Sequence, residues 1–121
     1  MDDREFNKQR RRIRALIRKW VKPLGLGWWT VNFEFSREPI ASNNAGESVA
    51  ANCHALWPYK TALIKFYMPD LSDLSDEDLE RVFVHELMHI FLAEAREDDL
   101  HHEERVASDL ANAFLWIRGL K

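Results

Sequence analysis

The spacing of apolar residues changes period along the chain, and each change marks an element. Over residues 3–22, Phe6, Ile13, Leu16, Ile17 and Trp20 recur at helical spacing with the basic residues mostly on the other side, and Pro23, Gly25 and Gly27 then stop the helix. From about 28 to 35 the period falls to two. Trp29, Val31, Phe33 and Phe35 alternate with Thr30, Asn32 and Glu34, the pattern of a half-buried strand. Residues 36–47 (SREPIASNNAGE) are turn-formers and read as an exposed loop. A second strand follows over 48–57, with Val49, Ala51, Cys53, Ala55 and Trp57 on one face, and a third over 61–68, with Ala62, Ile64, Phe66 and Met68 alternating. The short Pro58-Tyr59-Lys60 link predicts an antiparallel hairpin between these two strands.

Pro69 ends the sheet. Ser75 is placed to cap a helix running from Asp76 to about Ala95, with Asp76, Glu77 and Asp78 in its first turn, where the helix dipole favours negative charge. An acidic, broken link (94–100) leads to a final helix, HHEERVASDLANAFLWIRGL. The spacing directs Val106, Leu110, Ala113, Phe114 and Ile117 toward the core and puts Gly119 near the end. The predicted class is α+β in a single domain, 1–121: an N-terminal helix, a short three-stranded antiparallel sheet and two further helices.

Composition narrows the class of protein. A chain of 121 residues, 46% hydrophobic and 12% aromatic, can bury a real core and is not globally disordered. No apolar run approaches a membrane span, and the first residues (MDDREFNKQRRR) are charged where a signal peptide needs an apolar segment, so a soluble, cytoplasmic protein is expected. The single cysteine, Cys53, excludes an internal disulfide and a Cys-based zinc finger. Its neighbour His54 points to the opposite face of the strand, so the two are not read as a nucleophilic pair. The net charge of −3 is uneven: residues 1–22 carry nine Lys/Arg against three Asp/Glu. With no nucleic-acid motif beside it, RRRIRALIRK is read as an amphipathic helix packing through Leu16, Ile17 and Trp20, its cations in solvent, rather than as a phosphate-binding patch.

The chemistry concentrates in VFVHELMHIFLA (82–93), a helix apolar on every side except for His85, Glu86 and His89. Polar groups in so apolar a helix are costly unless something satisfies them. His85 and His89, four residues apart, project from one face and can both reach one metal ion, with Glu86 beside them; H-E-x-x-H on a helix is the pattern of zinc metallopeptidases. The plainer alternative is a pair of core histidines hydrogen-bonded to backbone or to a carboxylate. A catalytic zinc takes three protein ligands. A third histidine in the extended pattern H-E-x-x-H-x-x-G-x-x-H is absent, because Leu92 and Ala95 stand at the glycine and histidine positions. A glutamate from the last helix is the other common arrangement, and Glu103 and Glu104 both qualify. Helical phase favours Glu103, which falls near the centre of that helix's apolar stripe.

HELMH, a short link and then Glu104, Ala107, Ser108 and Ala111 resemble the gluzincins, whose second helix carries E-x-x-A-[DNS]-x-x-A. The whole chain is similar to small single-domain metallopeptidases of bacteria and phages. The resemblance implies a zincin-like fold, one zinc ion per chain on His85, His89 and Glu104, and Glu86 as general base in peptide-bond hydrolysis of a protein substrate. The family pattern thus selects Glu104 where phase selects Glu103, and Glu104 is preferred because phase is least reliable in a helix's first turn. His101 or His102 is a weaker third-ligand candidate. Tyr59, Tyr67, His101, His102 and Arg105 are candidates for stabilising an oxyanion, and the sheet edge for receiving an extended peptide. The rival reading is a regulatory zinc-binding module on the same scaffold that binds a partner protein and cleaves little. No membrane or nucleic-acid partner is expected.

Overall fold

The computed structural model describes residues 1–41, 48–97 and 100–119. Residues 42–47 of the predicted loop, residues 98–99 of the acidic link, Leu120 and the side chain of Val49 lie outside the described residues. The mixed α+β class is as expected: among the described residues the chain forms α1 (Asp3–Trp20), β1 (Thr30–Ser36), β2 (Ile40–Ala41), β3 (Ser48–Val49), β4 (Ala51–Leu56), β5 (Thr61–Tyr67), α2 (Met68–Leu71), α3 (Asp76–Arg96) and α4 (Glu103–Gly119). Short 3-10 turns at Leu26–Trp28 and Trp57–Tyr59 precede β1 and β5. No described helix is long and apolar enough to cross a membrane.

The sheet differs from the fully antiparallel one expected. Its order is β1-β5-β4, with β4 and β5 antiparallel and β1 and β5 parallel, in the register Phe33↔Ile64 and Cys53↔Ile64. The hairpin itself is as predicted. What local pattern could not give is which strand takes the centre. β5 alternates cleanly, with Ala62, Ile64 and Phe66 buried, and it fills the slot between β1 and β4. Among the described residues β1 and β4 are therefore both edges, and at the C-terminal end of β5 Ala50 accepts a hydrogen bond from the Tyr67 amide (2.8 Å). The fold departs from expectation at two smaller places. Residues 36–47 are not wholly an exposed loop, because Ile40 is buried and β2 pairs with β3. The second strand breaks at Ala50 and ends at Leu56, with Trp57 in a turn closed by Lys60 in the left-handed conformation (φ 55°).

The helices cover one face of the sheet. Phe33, Phe66 and Phe83 stack with ring centroids 5.9–6.4 Å apart, which fastens α3 to β1 and β5. Asp2 and Ser75 cap α1 and α3 by accepting from the amides of Glu5 (2.8 Å) and Asp78 (3.1 Å). α1 is tied to the start of α3 by Arg12, which donates to Asp76 Oδ1 (2.9 Å) and to the Leu74 carbonyl (2.8 Å), and by the Trp20 indole, which donates to Glu80 (2.7 Å).

α4 packs on α3 through a different face from the one its large side chains suggest. Ala107 and Ala111 are fully buried, whereas Ala113 and Ile117 are exposed. At 100° per residue this turns the buried face by about 90° from the predicted stripe. The physical reason is that small residues let two helices come close, so the alanines take the contact and the bulky residues move to its flanks.

Phe83→Ala removes the ring that joins helix to sheet and is expected to cost about 3–5 kcal/mol in urea unfolding, whereas Trp28→Ala, at a side chain that is 91% exposed, should stay within about 0.5 kcal/mol.

Candidate metal centre

The rotation of α4 decides what faces the histidines. The centre of its buried face falls between Glu103 and Glu104, so the two carboxylates approach α3 from either side of the helix contact. They meet different atoms. His85 Nε2 and His89 Nε2 lie 3.1 Å apart, and the Glu104 carboxylate lies 2.9 Å from the first and 3.0 Å from the second. Glu103 instead faces the far nitrogen of His89, Nδ1, at 2.5 Å. The far nitrogen of His85 meets the Ser108 hydroxyl at 3.1 Å.

The charge on Glu103 fixes one tautomer. Arg96 donates to both its oxygens, from Nε at 2.7 Å and from Nη2 at 2.8 Å. The Arg96 bonds, reinforced by His89, hold the Glu103 carboxyl below its ordinary range. An ionised carboxylate has no proton to give, so His89 Nδ1 carries the hydrogen and Nε2 is the nitrogen that can offer a lone pair to an ion. In the tautomer in which its Nδ1 donates to the Ser108 hydroxyl, His85 presents a lone pair at Nε2 in the same way. With those tautomers two imidazole lone pairs and a carboxylate face one another, a donor set that could hold a cation.

The residues fit a metal ion. His85, His89 and Glu104 each offer a ligand atom within 4.8 Å of the others. The two imidazole nitrogens stand 3.1 Å apart, close to the edge of about 3.3 Å expected for a tetrahedron with bonds of 2.0–2.1 Å, and the two Glu104 oxygens divide between them, Oε2 at 2.9 Å from His85 and Oε1 at 3.0 Å from His89. The side chains of His89 and His85 are 7% and 18% exposed while that of Glu104 is 80% exposed, so the group opens to solvent on the Glu104 side.

Glu86 is buried beside this group, pushed up to about 8 by burial and then by the charge of Glu104. Without a cation it would be protonated at neutral pH; a dication on the neighbouring histidines favours its carboxylate. Beneath it on β4 stands Cys53, pushed up to about 12 by burial and then by Glu86. Cys53 faces the helices and His54 faces solvent, so the two do not form a pair.

The structure brings His85, His89 and Glu104 together and gives Glu103 a separate place behind His89. His101 and His102 lie exposed in the turn before α4, His102 at φ 60°. Among the described residues neither they nor Tyr59, Tyr67 or Arg105 makes a hydrogen bond or ion pair to the group, and Arg105 pairs with Asp109 (3.8 Å). Sequence reading missed Arg96. Its only signal was a cation in the last turn of the HELMH helix, a position equally suited to the helix dipole. Comparison with protein-family models, curated proteins and solved structures finds no match to this chain.

Since the thiolate is the reacting form and its population falls about tenfold per pH unit of pKa, Cys53 in the folded protein should alkylate with iodoacetamide more than about 100-fold more slowly than in urea, as followed by intact-mass spectrometry near pH 8.5.

Proposed function

We propose that this chain is a zinc-dependent metallopeptidase that hydrolyses peptide bonds in a protein substrate. The observation that carries the reading is the convergence of His85 Nε2, His89 Nε2 and the Glu104 carboxylate within about 3 Å, beside an apolar stretch of helix (82–93) whose one other polar residue, Glu86, is buried next to them. A zinc ion held by His85, His89 and Glu104 would supply Lewis-acid polarisation of a water molecule and of a scissile carbonyl. The protein's own residues do the rest. Ser108 and the Glu103–Arg96 pair orient the two imidazoles. Glu86 takes a proton from the attacking water and returns it to the amine nitrogen as the carbon–nitrogen bond breaks.

The sheet supplies a place for the substrate. The Tyr67–Ala50 bond sets the antiparallel ladder, in which Asn52, His54 and Leu56 pair with β5 and the backbone groups of Ala51, Cys53 and Ala55 turn outward. A peptide laid along this edge would gain main-chain hydrogen bonds without selecting particular side chains. β4 is six residues long, so this edge has room for few subsites, which favours a narrow substrate range.

Native mass spectrometry of metal-replete protein should find one zinc per chain. Glu104→Ala is expected to abolish binding, whereas Glu103→Ala should retain the metal with affinity reduced about 10- to 100-fold. No zinc on the wild-type chain removes the reading. Glu86→Gln should keep the zinc and lose hydrolysis of a peptide library; cleavage that survives in this variant would show that Glu86 is not the base.

A further inference from the structure

The outer face of α1 plays no part in the candidate metal centre, and its charges are arranged unlike those elsewhere on the molecule. At 100° per residue, Arg4, Lys8, Arg11, Arg14 and Arg18 fall within an arc of about 120°, opposite the buried Gln9, Ile13 and Trp20. All five are exposed, and among the described residues none has an ion pair or a side-chain hydrogen bond. The helix's two engaged cations stand elsewhere: Arg12 on Asp76 (2.9 Å) and Lys19 on Glu80 (2.6 Å). The stripe runs for about 21 Å, with only Asn7 and Ala15 between its charges.

Such a face is not the usual solvated one. On α3, Arg81 is balanced by Glu77 and Asp78, and on α4 Arg105 by Asp109, the mixed-sign pattern of an ordinary exposed helix. On α1 the successive pairs 4–8, 8–11, 11–14 and 14–18 stand at i,i+4 or i,i+3 with like charge, which disfavours the helix in the absence of an anion. The protein as a whole carries −3, so attraction to a polyanion would be local to this face.

We infer that the outer face of α1 binds the phosphate backbone of a nucleic acid without reading its bases. A regular row of five cations matches a regular row of phosphates. Base recognition is not expected, because the stripe offers no aromatic or amide cluster directed at base edges. A lipid surface fits less well. The apolar face of α1 is spent on the core, leaving no exposed apolar side chain larger than that of Ala15 on the stripe to enter a bilayer. Binding here leaves the open side of the His85–His89–Glu104 group free, since the stripe points away from the body of the protein.

The test is fluorescence anisotropy of the full chain with labelled duplex DNA, single-stranded DNA and single-stranded RNA, titrated over salt. Binding is expected at about 50 mM salt, with log K falling against log salt at a slope of up to about −4.5 on duplex and about −3.5 on single strands. Arg11→Gln/Arg18→Gln should weaken binding at least tenfold and flatten the slope by about 1.4 to 1.8. The melting temperature of this variant should be unchanged or raised, because like-charge repulsion is relieved. Arg81→Gln/Arg105→Gln should leave binding unchanged. The arm that binds most tightly identifies DNA or RNA as the source of the backbone. No binding at low salt, binding indifferent to the α1 variant, or tighter binding to phosphatidylserine vesicles or polyglutamate than to any of the oligonucleotides would each overturn the inference.

Discussion

The contact between α3 and α4 is the constraint on which the rest depends. Ala107 and Ala111 are fully buried, and with no side chain beyond a methyl group they let the two helices approach closely. At that distance the carboxylates of Glu103 and Glu104 reach imidazoles on the neighbouring helix directly. Wider packing would leave His89, whose side chain is 7% exposed, without a partner for one ring nitrogen and would strand polar groups in an apolar interior. The histidines and glutamates thus satisfy one another, and the alanines make that possible.

Two adjacent glutamates divide the work according to their surroundings. Glu103 is held ionised by the two hydrogen bonds from Arg96 and acts on the back of His89. Glu104, largely in solvent, keeps its oxygens free for the front. Glu86, on α3, differs from both. Its burial disfavours charge, so its protonation depends on whether positive charge is present next to it. Identical side-chain chemistry yields three behaviours because burial, partner and position on the helix differ.

Much of this was legible in the sequence. The helix caps at Ser75, the alternation in β1 and β5, the hairpin and the facing pair His85 and His89 follow from local spacing, which depends on near neighbours in the chain. The parallel pairing of β1 with β5 did not, since strand order is settled by which strand gains most from being covered on both edges. The orientation of α4 is hidden for a related reason. Hydrophobic spacing weights large side chains, whereas a close helix pair is built on small ones, so spacing directs Ala113 and Ile117 inward where Ala107 and Ala111 belong. The resemblance pattern, which includes those alanines, pointed to Glu104 where phase alone pointed to Glu103. Arg96 had no local signature because its role comes entirely from a residue across the link.

The central place of β5 also has a consequence for how the chain is made. Phe33 pairs with residue 64, so β1 has no partner strand until the β4–β5 hairpin has been synthesised. During that interval Trp29, Val31, Phe33 and Phe35 form an apolar strand with an open edge, the kind of segment that pairs with other chains when left waiting. The N-terminal third of the molecule is therefore the part most dependent on how quickly the hairpin emerges and folds.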